Sequence, residues 1–293
     1  MLCFAGQPPT ITQWTHSESP VDTDGFVQPK LTEFPSFDGK PIPCFLYKPT
    51  PGQSVKPANG LLPVVIYIHG GPASQFKPTF QPTNHPQSLQ YLASRGIAVL
   101  APNVRGSRGY GKSYLAADDA MLRHGSVQDI GALLDWIAAH GEFDPARVCV
   151  MGRSYGGFMV LSALAAYSDR IRCGVATCGM SHLVTFLEST AEWRRHLRRP
   201  EYGDERDLEV REYLHRTAPL TNAGAMAAPL LICQGANDSR VPLNESLQIA
   251  DAVRANDQQC WVMVAESEGH VFKKRTTMDP NSAIIAVFLD KFL

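Results

Sequence analysis

The sequence predicts an α/β fold, a mostly parallel central sheet of about eight strands flanked by helices. Three observations carry this. Short apolar runs recur along the chain, segments with a helical period separate them, and the runs are apolar at consecutive rather than alternate positions. Consecutive apolar residues suit strands buried on both faces, and strand–helix alternation leads to right-handed crossovers and a parallel sheet. With 293 residues, the chain suits one domain with an arm.

The elements follow in order. Residues 1–30 are polar and turn-rich, with Pro8, Pro9, Pro20 and Pro29, and read as an N-terminal arm or remnant linker; residues 31–293 read as the one α/β domain. Extended pieces around Leu31–Phe37 and Ile42–Tyr47 flank Asp38-Gly39, a dipeptide that suits a tight hairpin turn. Core strands are predicted over Pro63–Ile68, Ile97–Pro102, Val148–Met151, Ile171–Cys178, Leu230–Gln234 and Trp261–Val264. Ser126–His140 places Val127, Ile130, Leu134 and Ile137 on one helical stripe; Phe158–Tyr167, Leu243–Arg254 and Ser282–Leu293 also read as helices. Met180–Thr217 is too long for a simple crossover and reads as an insertion capping a site.

Composition narrows the function. Hydrophobic residues make up 44% and charged residues 19%, enough for a sizeable core, and the formal net charge of −1 gives no attraction to nucleic acid or to an acidic membrane surface. No apolar run reaches the roughly 18 residues of a membrane span, and the start Met1-Leu2-Cys3-Phe4 lacks the features of a signal peptide. The 7 cysteines are odd in number and form no Cys-x-x-Cys pair, which fits a reducing compartment, so a cytoplasmic protein is expected. Arg194, Arg195, Arg198 and Arg199 belong to a mixed run with Glu192 and Glu201, beside Pro200, and read as a solvated helical face.

Gly152-Arg153-Ser154-Tyr155-Gly156-Gly157 follows a strand and opens an apolar helix. A sharp strand-to-helix turn crowds the residues beside the serine; glycine at 152 and 156 removes the Cβ atoms, and the turn lifts the hydroxyl towards a helix N-terminus. A serine hydroxyl is a poor nucleophile at neutral pH and needs a base. His270, after the last strand, supplies it, and Asp238, after the strand before, holds the imidazole in the right tautomer. The order Ser154, Asp238, His270 is that of α/β-hydrolases.

In such a fold, the loop after the first core strand gives one oxyanion donor and the residue after the nucleophile gives another. These are Gly71, in His69-Gly70-Gly71-Pro72, and Tyr155; Pro72 has no N–H. His69 has no partner at metal-ligand spacing and reads as a brace for its loop, so neither a metal nor a cofactor is expected. Asn103–Gly111 is rich in glycine but lacks the ending of a phosphate-binding loop and reads as a folded loop beside the site. Phe186 and Trp193 of the insertion, with Phe272, are candidates for an apolar acyl pocket; the alternative is that Phe186 and Trp193 pin the insertion onto the sheet.

These motifs, together with Asn103-Val104-Arg105-Gly106-Ser107, Gly235-Ala236-Asn237-Asp238-Ser239-Arg240-Val241-Pro242 and Glu268-Gly269-His270, resemble the catalytic domain of the prolyl oligopeptidase family of serine peptidases. The resemblance is strongest to its acylaminoacyl-peptidase and dipeptidyl-aminopeptidase branches, and spans about Leu31 to Leu293. It implies acyl-enzyme chemistry on a small peptide or acyl-peptide. Members often carry Gly-Phe after the histidine, where this chain has Val271-Phe272. Members also carry a β-propeller ahead of the catalytic domain; Ile11–Gln28 resembles the tail leaving one, so the chain reads as a fragment or a naturally short relative. Hydrolysis of small esters is the rival expectation, and a non-catalytic binding protein on the same scaffold a third. The oligomeric state stays open, a homo-oligomer included.

Overall fold

The computed structural model describes residues 12–15, 23–50, 60–79 and 89–293. Most of the expected arm therefore lies outside the described residues. The strands are β1 (Lys30–Pro35), β2 (Pro41–Tyr47), β3 (Leu62–Ile68), β4 (Ala98–Pro102), β5 (Phe143–Arg153), β6 (Cys173–Thr177), β7 (Leu230–Gly235) and β8 (Cys260–Ala265). They form one 8-stranded sheet in the order β1-β2-β4-β3-β5-β6-β7-β8. The pairs β1–β2 and β2–β4 are antiparallel, and every pair from β4 to β8 is parallel.

The helices are α1 (Leu89–Ser94), α2 (Lys112–Leu115), α3 (His124–His140), α4 (Tyr155–Tyr167), α5 (Leu183–Ser189), α6 (Glu192–Tyr202), α7 (Leu208–Arg216), α8 (Leu243–Ala255) and α9 (Arg275–Phe292). They cover both faces of the sheet. Val64, Ile66 and Ile68 of β3 pack into a core with α3, α4 and α8, while Val65 and Tyr67 pack into a second core with α1 and α9. The same division separates Val148 and Val150 from Cys149 and Met151 on β5. Burial on both faces is why these strands lack alternation in the sequence.

The two largest departures from the expected boundaries are both at element starts. Strand β5 starts at Phe143, upstream of Val148, because Phe143 pairs with Leu62 across a register shift. Helix α9 starts at Arg275, ahead of Ser282, and contains Pro280. The proline sits within two turns of the start, so its missing N–H frees only one interior carbonyl. The hairpin turn lies at Asp38-Gly39 as expected, with Gly39 at φ 78° and its N–H on the Ser36 carbonyl at 2.9 Å.

A buried ionic cluster fastens that hairpin to the sheet's helical layer. Arg105, after β4, donates to Asp129 of α3 from Nε at 3.0 Å and from Nη2 at 2.8 Å. It also reaches Asp38 of the turn at 3.1 Å, and Ser36 donates its hydroxyl to Asp129 at 2.5 Å. Asp129 is fully buried and Arg105 nearly so.

Candidate active site

Ser154 joins β5 to α4 at φ 58°, ψ −119°, a conformation that L-residues rarely hold. The flanking glycines permit it. A Cβ on Gly156 would lie 2.1 Å from the Ile68 carbonyl oxygen, and one on Gly152 would lie 2.5 Å from the Gly156 carbonyl oxygen. Gly157 meets Gly179 just as closely, at 2.7 Å from a built Cβ to Cα. The serine turn is thus seated between β3 and the end of β6 with no room for side chains at these glycines.

His270 and Asp238 reach this serine from the ends of β8 and β7. His270 Nε2 stands 3.0 Å from Ser154 Oγ, and His270 Nδ1 stands 2.6 Å from Asp238 Oδ2. The other carboxylate oxygen of Asp238 accepts the Arg240 N–H at 2.8 Å and the Val241 N–H at 3.0 Å. Burial opposes the charged carboxylate, but the His270 contact and these backbone bonds outweigh it and hold Asp238 below the usual range. Burial also pushes the His270 pKa down, against the pull of Asp238, which favours the neutral imidazole a base requires. The two loops are sewn together: Asn237 N–H donates to the Glu268 carbonyl at 2.9 Å, and the Glu268 carboxylate accepts the Lys274 N–H at 2.7 Å.

The loop after β3 approaches the serine from the other side. A Cβ on Gly70 would lie 3.4 Å from Ser154 Cβ. Gly71 has φ 137°, open to glycine, and its N–H donates to nothing among the described residues. The Tyr155 N–H, first in α4, has no intrahelical acceptor. His69 is buried, with Nε2 2.8 Å from Ser107 Oγ and Nδ1 2.7 Å from the Gly70 carbonyl. These contacts make it the brace expected, and tie Asn103–Gly111 to the same loop.

The insertion resolves into α5, α6 and α7, and the end of α6 leans on the glycine loop. Tyr202 donates to the Gly71 carbonyl at 3.3 Å, and Glu201 accepts the Ala73 N–H at 3.2 Å. Beneath them lies a buried network. Tyr155 donates to Asp118 at 2.9 Å; Arg123 pairs with Asp118, donates to the Glu201 carbonyl, and lies 5.1 Å from the Tyr155 ring and 5.0 Å from the Tyr202 ring. Burial, offset in part by Arg123, pushes Asp118 up to about 6.

Sequence reasoning missed Arg153, Tyr202, Asp118 and Arg123. Arg153 donates to the His270 carbonyl, and its place inside the serine motif was the one signal available. The expected apolar pocket takes a different form. Phe186 is buried in the core with its ring 5.7 Å from that of Tyr202, so it pins the insertion, and Phe272 is buried in the second core. Trp193 is 64% exposed, its ring beside its neighbour Arg194; a ring so exposed neither walls a pocket nor pins a helix. The arginine run also departs from a solvated face. Arg194 is only 9% exposed, with Nε unpaired among the described residues, and Arg199 pairs with Glu205 at 2.5 Å. Helix α6 lies against the domain along one side, so part of the charged run is covered. Among the described residues one group has metal-ligand types in reach of each other, Cys178, Asp238 and His270, and two of its members already bond each other. None of the helices among the described residues is long and apolar enough to cross a membrane.

Comparison with known proteins places the sequence and the fold beside serine-peptidase relatives. The dipeptidyl aminopeptidase BIII of Pseudoxanthomonas mexicana is 30% identical over 97% of this chain and 41% of its own length. The acylamino-acid-releasing enzyme of Arabidopsis thaliana is 26% identical over 78% of the chain and 30% of its own. A solved puromycin-hydrolyzing peptidase of Mycobacterium tuberculosis superposes with a TM-score of 0.85 at 27% identity, over 93% of this chain and 40% of that one. The chain thus spans at most about two fifths of the relatives it matches. Residues 83–293 match the model of the prolyl oligopeptidase family, and with the fold and the serine turn described above, this chain belongs to that family.

Proposed function

We propose that the chain is a serine-type peptidase that works through an acyl-enzyme, releasing an amine from an aminoacyl or acyl-peptide substrate. The observation that carries this reading is the continuous chain of contacts from Asp238 Oδ2 to His270 Nδ1, at 2.6 Å, and from His270 Nε2 to Ser154 Oγ, at 3.0 Å. Two of its relatives are named as peptidases and a third as an acylamino-acid-releasing enzyme, which supports the reading, as do the order and strand-end placement of the three residues.

Ser154 Oγ attacks the substrate carbonyl carbon while its proton passes to His270 Nε2. Asp238 accepts the Nδ1–H and stabilises the imidazolium without itself taking the proton. The oxyanion that forms is met by the N–H groups of Gly71 and Tyr155, which have no other acceptor among the described residues. His270 returns the proton to the leaving nitrogen as the C–N bond breaks, and water repeats the sequence on the acyl-enzyme to release the acid. The six described cysteines are all buried and unpaired, which fits a reducing compartment. Esters enter the same chemistry, and no feature of the site favours them over amides.

The test is mass spectrometry of the protein quenched during turnover of aminoacyl and acyl-peptide anilides, beside p-nitrophenyl esters of graded length. An acyl adduct on Ser154 with anilide turnover supports the peptidase reading. Turnover and an adduct with esters but no turnover of any anilide makes the protein an esterase, and turnover of esters with no adduct on Ser154 overturns the mechanism.

A further inference from the structure

Strand β7 carries one polar side chain among apolar ones. Gln234 stands next to its end, ahead of Gly235, and is fully buried. A buried amide is costly unless its donors and its acceptor are met. Gln234 meets all of them. Its Nε2 lies 3.1 Å from the Gly235 carbonyl, 3.1 Å from the Val241 carbonyl and 3.4 Å from Asp238 Oδ2. Its Oε1 accepts the hydroxyl of Ser246, on α8, at 2.9 Å. Two carbonyls and a carboxylate can only accept, so the amide has one orientation, with nitrogen to the loop and oxygen to Ser246.

That orientation closes a clasp. Gly235 and Val241 are the two ends of the loop that carries Asp238, and one side-chain nitrogen bonds both. The same nitrogen contacts Oδ2, the oxygen that takes His270 Nδ1 at 2.6 Å. The other oxygen, Oδ1, is held by the Arg240 and Val241 N–H groups. Val241 therefore enters twice, its N–H on Asp238 and its carbonyl on Gln234. The clasp is anchored on a packed helix. Ser246 is buried near the start of α8, and its neighbour Glu245, also buried, accepts the Ser181 N–H at 2.9 Å and the His182 N–H at 3.0 Å. A side chain locked in this way on rigid elements can hold a functional group to a narrow geometry.

We infer that Gln234 is a positioning residue for the hydrolytic reaction: oriented by Ser246, its amide fixes the loop of residues 235–241 so that Asp238 Oδ2 meets His270 Nδ1. The inference rests on the reading of Ser154, Asp238 and His270 as a triad, and adds Gln234 and Ser246 behind it. Both are fully enclosed, so neither touches a substrate, and their effect passes through Asp238.

The test compares Gln234→Met, which keeps the length and loses both N–H donors, with Ser246→Ala, which loses only the hydroxyl that orients the amide. Hydrolysis of p-nitrophenyl acetate gives kcat, KM and the pH profile of kcat/KM, and the resting protein gives Tm and the downfield NMR signal of the His270 Nδ1 proton. Gln234→Met should lower kcat by about tenfold or more with KM within about threefold, and Ser246→Ala should act in the same direction by less. The midpoint of the profile should rise in Gln234→Met, because an Asp238 oxygen relieved of an N–H pulls harder on the imidazolium. Arg153 and Arg240, the other charges that His270 senses, are unchanged in both variants. The downfield proton should shift in both. Variants with a lower Tm but the parent's kcat, midpoint and proton signal would make Gln234 a stabiliser of the fold alone and overturn the inference. If Gln234→Met does not fold, Ser246→Ala decides on the same readouts. A parent with neither turnover nor a downfield His270 signal would remove the triad itself, and the role of Gln234 with it.

Discussion

Arg153 and His270 are 117 residues apart in sequence, yet the Arg153 guanidinium donates to the His270 backbone carbonyl. The residue before Ser154, the proposed nucleophile, thus holds the loop that carries His270, the proposed base. Cys178, at the end of β6, approaches the same carbonyl at 3.9 Å. Both contacts go to the backbone carbonyl and not to the ring, so they hold the loop and leave the imidazole free to exchange its proton.

Arg153→Met should lower kcat by about 10–100-fold while KM changes less than about threefold, since a misplaced base slows chemistry more than binding. Arg153→Lys should recover part of the loss. Steady-state kinetics check this; a KM effect with unchanged kcat would assign Arg153 to substrate binding.

Ser154→Ala and His270→Ala should each lower turnover by about 10⁴–10⁶ in a folded protein, and the double variant should lose little more, because the triad acts as a unit. Circular dichroism establishes the fold and active-site titration rules out contaminating hydrolase. Turnover of folded Ser154→Ala within tenfold of the parent would remove Ser154 as nucleophile.

The rate should rise with pH through a single ionisation whose midpoint lies below the ordinary histidine value of 6.5, because burial lowers the His270 pKa. The sign follows from the mechanism: protonated His270 cannot accept the serine proton, so activity is lost as pH falls through that midpoint. Asp238→Asn removes the one contribution that raises it, so the midpoint should move lower still, with kcat down about 10⁴-fold. A pH profile of kcat/KM for both proteins checks this, and a parent midpoint above 7 would contradict the buried, neutral base.

Gly156→Ala should destabilise the protein by more than about 3 kcal/mol, or prevent folding, since overpacking against fixed backbone has no easy relief. The added Cβ would meet the Ile68 carbonyl oxygen at 2.1 Å, in the middle of the sheet. Gly224→Ala is the control: nothing lies within 4 Å of its built Cβ, and its melting temperature should stay near the parent's.

Trp193→Ala should change kcat/KM less than about twofold for both acetyl and large apolar acyl groups, with little change in Tm, as expected for an exposed position. Tyr202→Phe, which removes the bond to the Gly71 carbonyl, should lower kcat by a larger factor across all acyl groups. A loss confined to large acyl groups in Trp193→Ala would restore the tryptophan to the pocket.

The strands and the serine turn were legible because their causes are local. Burial on both faces writes itself as consecutive apolar residues in β3, β5 and β7, and the crowding around Ser154 requires Gly152 and Gly156 within two positions of it. Asp238 and His270 could be found because each follows a recognisable strand. Tyr202, Asp118 and Arg123 could not, since each acquires its role from contacts across the fold and carries no nearby pattern. Trp193 was misplaced for a related reason: being large and apolar says that burial is favourable, not which side of a short charged helix faces the sheet. Arg194 shows the converse, a charge that the helix carries inward.

The ionic cluster of Arg105, Asp129 and Asp38 bears on where this domain can be cut. Strands β1 and β2 sit at the sheet's outer edge and resemble an appendage that a shorter protein would do without. Yet removing the hairpin would take away Ser36 and Asp38 and uncover Asp129, which is 0% exposed, together with its guanidinium partner. The Arg105–Asp129 pair would remain, but it would lose its cover and two of its partners, and a domain of ordinary stability has little free energy to lose. The smallest autonomous folding unit therefore begins no later than Lys30, and trimming into the hairpin should yield insoluble protein, not a leaner enzyme.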